Sequence, residues 1–218
     1  MKKEAYRNIL PHFQQPGQAY FVTWILKDAA PKKALAIYTQ KLELLKSQIE
    51  FHKNQNHEQK TIDDLSFQYN LTRKKYIKAY DDLLPATCKK STVDLSKPEN
   101  LQIIKEAFLF WENKKLKNCA LSIMPNHIHW VITLLEKDAE EKTVYLQDIL
   151  QSVKRYTARE INKQEGRLGT LWQKESFETT IRNEKHLYNA VEYTLNNPVK
   201  AGLVKSRESW PGNAYFDW

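Results

Sequence analysis

His127 and His129 stand one residue apart in HIHWVITLL (127–135), a run whose β-branched and aromatic content reads as a strand. In a strand, alternate side chains leave the same face, so both imidazoles project together with backbone positions about 6.6 Å apart. They can converge on one cation, though two ligands leave its shell incomplete. A third can come from a helix near the carboxyl end, where Tyr193 and Asn197 are spaced i, i+4 and share a face. Asn197 could offer an amide oxygen to a hard cation while Tyr193 aims its phenol at a phosphate that the cation polarises. A tyrosine needs that help, because a phenol with a pKa near about 10 is mostly protonated at neutral pH. Each feature also has a purely structural reading. The histidines can be hydrogen-bonded or exposed, Tyr193 a half-buried helix aromatic, and Asn197 a C-terminal cap before Pro198.

Two other tyrosines compete for the nucleophile's role. Tyr156 lies in SVKRYTARE, where Lys154, Arg155 and Arg159 make a basic helix face suited to phosphate contacts. Tyr188 falls five residues before Tyr193 and off its helical face. Between Leu150 and Arg207 there are 11 Lys plus Arg against 6 Asp plus Glu, so positive charge is expected beside the histidines. Trp172 and Phe177 in the same segment could stack on unpaired bases or belong to the core.

The elements that must position these groups follow from local composition. QAYFVTWIL (18–26), after the Pro16-Gly17 turn, reads as a first strand. From Lys32 to about Leu84 the chain is charged and helical in period. Leu35, Tyr38, Leu42, Leu45 and Ile49 form one apolar stripe, Leu65, Tyr69, Tyr76, Tyr80 and Leu83 another, and 52–60 reads as the tip between them. Residues 85–98 read as a loop, and 99–112 as a helix with Leu101, Ile104, Ala107 and Phe108 on one face.

Two strands are then expected, at 117–124 and from His127, joined at Pro125-Asn126. A helix follows at about 146–163, then a strand at 174–181. Asn183 can cap a last helix, 184–197, that Pro198 ends. Without the long hairpin the order is that of an α+β, ferredoxin-like β-α-β-β-α-β layer. The expected organisation is one domain over 1–218, with a helical hairpin and loop inserted at 32–98. Ile128, Trp130, Ile132 and Leu134 would face the helices, leaving both histidines on the open face of the sheet.

With 218 residues and 41% apolar content the chain can bury a sizeable core. Its 34 Lys plus Arg against 26 Asp plus Glu leave a formal charge of +8, which suits a polyanionic partner. Cys88 and Cys119 alone provide neither a disulfide framework nor a cysteine-rich zinc site. Met1 to Leu10 lacks the apolar core of a secretory signal, and no run approaches a transmembrane length. A soluble, cytoplasmic protein without a membrane partner is expected.

Three stretches resemble one family. MPNHIHW (124–130) looks like the His-hydrophobic-His (HUH) motif of single-tyrosine transposases. LWQKESFETTIRNEKHLYNAVEYTLNNPVKAGLV (171–204) is similar to the carboxyl-terminal signature of the REP-associated tyrosine transposases and their insertion-sequence relatives. YRNILPHFQQPGQAYFVTW (6–24) is similar to their opening strand. One departure is Phe177-Glu178-Thr179, where many REP-associated members carry a histidine shortly after the Trp-Gln pair.

The resemblance implies that His127 and His129 are metal ligands, that Tyr193 is the nucleophile of a Y-x-x-x-N-P pattern, and that Asn197 supplies a polar ligand or orienter. It further implies Mg²⁺- or Mn²⁺-dependent cutting and rejoining of single-stranded DNA through a 5′-phosphotyrosine, at hairpin or repeat sites. Lys154, Arg155, Arg159, Trp172, Lys174 and Arg182 are then the expected DNA contacts. A domesticated protein that binds single strands or hairpins without cutting is the alternative. A zinc hydrolase would want a further strong ligand. The oligomeric state stays open, with a homodimer among the options.

Overall fold

The computed structural model describes residues 5–7, 11–13, 15–29, 34–55, 58–87, 91–174 and 176–216. The chain falls into two compact units, 1–29 with 90–218, and 30–89. The second unit pairs helix α1 (Ala36–Asn54) with helix α2 (Gln59–Thr87). Leu42, Leu45, Ile62, Tyr69 and Tyr80 are buried, and Tyr38 meets Tyr76 edge-on at 6.5 Å between ring centroids. The helix α2 runs two residues past Pro85, beyond the end at Leu84 that its sequence suggests.

The larger unit opens with a short antiparallel pair, β1 (Ala5–Arg7) and β2 (Pro11–Phe13). Its centre is an antiparallel five-stranded sheet built from β3 (Ala19–Ile25), β4 (Leu116–Ile123), β5 (His127–Leu134), β6 (Phe177–Thr180) and β7 (Asn213–Tyr215), in the order β6-β3-β5-β4-β7. Helices α3 (Pro98–Leu109), α4 (Leu146–Gln164) and α5 (Glu184–Lys200) complete a mixed α+β unit. Among the described residues, no helix is long and apolar enough to cross a membrane.

Alternation along β3 and β5 divides the side chains between two faces. On one face, Tyr20, Val22 and Trp24 join Ile128, Trp130, Ile132 and Leu134 beneath Leu101, Ile104 and Phe108 of α3 and Ile149, Val153 and Ile161 of α4. Trp24 stacks on Phe108 at 5.3 Å and meets Trp130 and Trp172 edge-on at 6.0 and 6.1 Å. Burying side chains of this size contributes about 1.5–3 kcal/mol each, so this face is the main source of stability. Val93 and Leu95, from the segment read as loop, enter the same core.

The other face carries a smaller cluster, in which Cys119, Ala120 and Val131 pack against Ala190, Val191 and Leu195 of α5. Helix α5 therefore covers the face expected to be open. Asn183 caps it, its side chain accepting from the His186 amide at 2.9 Å. The helix does not stop at Pro198 but continues to Lys200. Proline there forfeits one hydrogen bond in the final turn, and the Ala201 and Leu203 amides still donate to Asn197 and Pro198 carbonyls at 2.9 Å. Strand β7, unforeseen from the sequence, pairs with β4. Its approach depends on Gly212, where a Cβ would lie 2.3 Å from the Ile123 carbonyl oxygen.

Candidate active site

His127 and His129 sit on β5, the middle strand, opposite Ile25 and Thr23 of β3; Ser122 of β4 is the other neighbour of His129. Their ring centroids are 4.8 Å apart and each residue is 1% exposed. They are buried, not displayed on an open sheet, because α5 lies over them.

Burial lowers both pKa values. His127 is held well below the usual histidine range by desolvation and then by its neighbour His129. His129 is lowered to about 3 by desolvation and then by the Lys200 charge. Both rings are therefore neutral near pH 7, the form in which imidazole nitrogen binds metals.

Each ring is also anchored. His127 Nδ1 lies 2.7 Å from Asn126 Oδ1, an acceptor, so Nδ1–H donates and Nε2 keeps its lone pair. His129 Nδ1 lies 2.8 Å from Thr23 Oγ1, which can accept in the same way. This pattern of anchored Nδ1 and bare Nε2 suits a divalent cation. Among the described residues no cluster of three or more His, Cys, Asp or Glu could hold one, so further ligands would be oxygens such as the Asn197 amide. Asn197 is buried, one turn beyond Tyr193 on α5.

Tyr193 reaches the pair. Its ring is half-buried, edge-on to His129 at 5.6 Å and to Phe21 at 5.7 Å, and Phe21 stacks on His129 at 5.5 Å. Lys200 Nζ stands 4.4 Å from the Tyr193 ring centroid. The rivals lie elsewhere. Tyr188 is 57% exposed and lines a groove with Glu192, Arg207 and Trp210, whereas Tyr156 projects from α4.

The expected DNA contacts separate into two groups. Arg155, Arg159, Lys174 and Arg182 are exposed. Trp172 is 4% exposed, with Nε1–H donating to Thr157 Oγ1 at 2.9 Å, and Phe177 is buried; neither has a free face for a base. Lys154 turns inward, its Nζ donating to Ser176 Oγ at 3.3 Å and the Gln173 carbonyl at 3.4 Å. Helix α4 packs on the tryptophan side of the sheet, so Arg155 and Arg159 are not beside the histidines, as the charge count suggested.

Thr23, Phe21, Asn126 and Lys200 escaped the sequence reading. Asn126, adjacent to His127, and Lys200, seven residues after Tyr193 and on its face, left a readable signal. Thr23 is 106 residues from its partner and left none.

No family model matches the chain. Over 111 residues it is 30% identical to a Haemophilus influenzae protein assigned by name to the REP-associated tyrosine transposases, covering 48% of this chain and 61% of that protein. It is 32% identical over 96 residues to the REP-associated tyrosine transposase of Escherichia coli K12, covering 43% and 50%. The chain thus spans about half to three-fifths of the length of these curated relatives. A solved REP-associated tyrosine transposase bound to a REP hairpin aligns with 98% of this chain and 82% of its own, at 18% identity and a TM-score of 0.47. By sequence, this chain is similar to the REP-associated tyrosine transposases, the family that its motifs resemble.

Proposed function

We propose that the protein is a tyrosine transposase, or a nuclease derived from one, that cuts and rejoins single-stranded DNA at hairpin or repeat sites. The observation that carries this reading is the Tyr193 ring against His129, with the two neutral, anchored histidines beside it. His127, His129 and Asn197 would hold Mg²⁺ or Mn²⁺. A bound cation would polarise a non-bridging oxygen of the scissile phosphate.

The phenol oxygen of Tyr193 attacks phosphorus, and the bond from phosphorus to the 3′-oxygen breaks. The departing oxygen takes up a proton as a 3′-hydroxyl, and the phenol proton passes to solvent. DNA remains joined to Tyr193 as a 5′-phosphotyrosine. Attack by a 3′-hydroxyl reverses these steps, reseals the strand and frees Tyr193. Thr23 and Asn126 hold the imidazoles in the tautomer that directs Nε2 outward, while α5 excludes water from the rings.

The test is incubation of the protein with labelled hairpin oligonucleotides and Mn²⁺, followed by a denaturing gel and mass spectrometry. A covalent adduct on Tyr193 is expected. Binding without any adduct would favour a non-cutting DNA-binding protein, and an adduct on Tyr156 or Tyr188 would overturn the assignment of the nucleophile.

A further inference from the structure

Lys200 Nζ stands against the Tyr193 ring, whose contacts include Phe21 and His129. It follows Tyr193 by seven residues, two helical turns, and so lies on the face that also carries Asn197. Among the described residues Lys200 makes no ion pair. Arg207, by contrast, is paired with Glu192 at 2.7 Å and with Glu208 at 3.1 Å. Glu192 adjoins Tyr193 in sequence but is turned toward Arg207. Beside the Tyr193 ring there is thus an exposed ammonium that, among the described residues, has no ion-pair partner. That is the electrostatic complement of a phosphodiester.

We infer that Lys200 is a substrate-contacting residue whose ammonium binds a non-bridging oxygen of the phosphate attacked by Tyr193. This rests on the proposed function. Lys200 follows the charge that builds on the equatorial oxygens while the Tyr193 oxygen bonds to phosphorus and the 3′-oxygen leaves as a hydroxyl. A lysine suits this because its compact charge sits on a flexible stem and can track an oxygen that moves during inversion.

Two measurements on the full chain test the inference. In the first, metal-free protein carrying ¹³C at lysine Cε is titrated with inorganic phosphate. One lysine signal should shift saturably, vanish in Lys200→Met and persist in Lys205→Met, which removes an exposed lysine elsewhere. If no responding signal belongs to Lys200, the inference is overturned.

In the second, the rate of adduct formation is compared between the parent, Lys200→Met and Lys200→Arg, after circular dichroism has verified folding. Lys200→Met should slow the reaction by about 10- to 100-fold while oligonucleotide affinity changes by less than about threefold, and Lys200→Arg should recover most of the rate. An unchanged rate in Lys200→Met overturns the inference. If the parent itself forms no adduct, the transposase reading fails, and the phosphate titration still decides whether Lys200 is an anion contact.

Discussion

The two faces of the central sheet are made from the same strands yet solve opposite problems. Toward α3 and α4, β3 and β5 present Tyr20, Val22, Trp24, Ile128, Trp130 and Ile132, and aromatic packing fills the space. Toward α5 the same strands present Phe21, Thr23, His127 and His129, and a smaller cluster of aliphatic residues surrounds polar groups that must be individually satisfied. Period-two alternation lets β3 and β5 each serve both, because successive residues along them point to opposite faces. The difference teaches that the aromatic core and the face proposed for chemistry share their strands, so substitutions on one face should be separable from those on the other.

The largest expected separation comes from Tyr193→Phe. It should reduce covalent adduct formation by roughly 10⁴-fold or more, the scale of losing a nucleophile, while thermal stability changes little and Tyr156→Phe and Tyr188→Phe remain active. Denaturing gels and thermal melts run in parallel would measure this. Continued cleavage in Tyr193→Phe, with water as nucleophile, would break the comparison at its centre.

Trp130→Ala tests the opposite face. Loss of a fully buried tryptophan, whose Nε1–H also donates to Asn118 Oδ1 at 2.6 Å, should cost about 3–5 kcal/mol in urea unfolding. A cost below about 1 kcal/mol would mean that this face is not the principal core.

Thr23→Val retains shape and removes only the hydroxyl that anchors His129 Nδ1. Affinity for Mn²⁺, followed by calorimetry, should fall by about 10- to 100-fold, as for loss of a supporting partner of a metal-binding histidine. Unchanged affinity would remove Thr23 from the site.

Acid should unfold the metal-free protein through the α5 face. The folded pKa of His129 is about 3 and that of His127 is also lowered, so below about pH 6.5 the unfolded chain binds protons that the folded one refuses. Stability therefore falls as pH drops through that window, by about 1.4 kcal/mol per pH unit for each histidine, and the His129 contribution levels off near pH 3. His129→Gln should flatten the slope in urea titrations. An equal slope in that variant would show that the histidines do not govern acid sensitivity.

Much of this architecture is legible in the sequence. The strand expected at 117–124 runs Leu116–Ile123, the strand expected at 127–135 runs His127–Leu134, and the helix expected at 146–163 runs Leu146–Gln164. Leu101, Ile104, Ala107 and Phe108, read as one helical face, are all buried. These features are local: apolar period and capping chemistry are written in neighbouring residues. The pairing of His127 with His129 and the shared face of Tyr193 and Asn197 are of the same kind.

What only tertiary structure decided was which surface each face meets. Sequence spacing placed both histidines on one side of the sheet but could not say that α5 would cover them, because the docking of a helix depends on contacts between Val131 and residues some 60 positions later, such as Ala190 and Val191. The same holds for Trp172, whose aromatic ring suits base stacking or core packing equally until Thr157 takes its N–H and Trp24 its edge. Pro198 reads as a helix end because a missing N–H is a local penalty, yet one lost bond in a final turn is outweighed when the helix is packed against a sheet. Residue type and period thus determined which groups could act together. Long-range packing determined that Tyr193 meets His129, that both histidines are kept neutral, and that α4's basic face lies on the other side of the sheet.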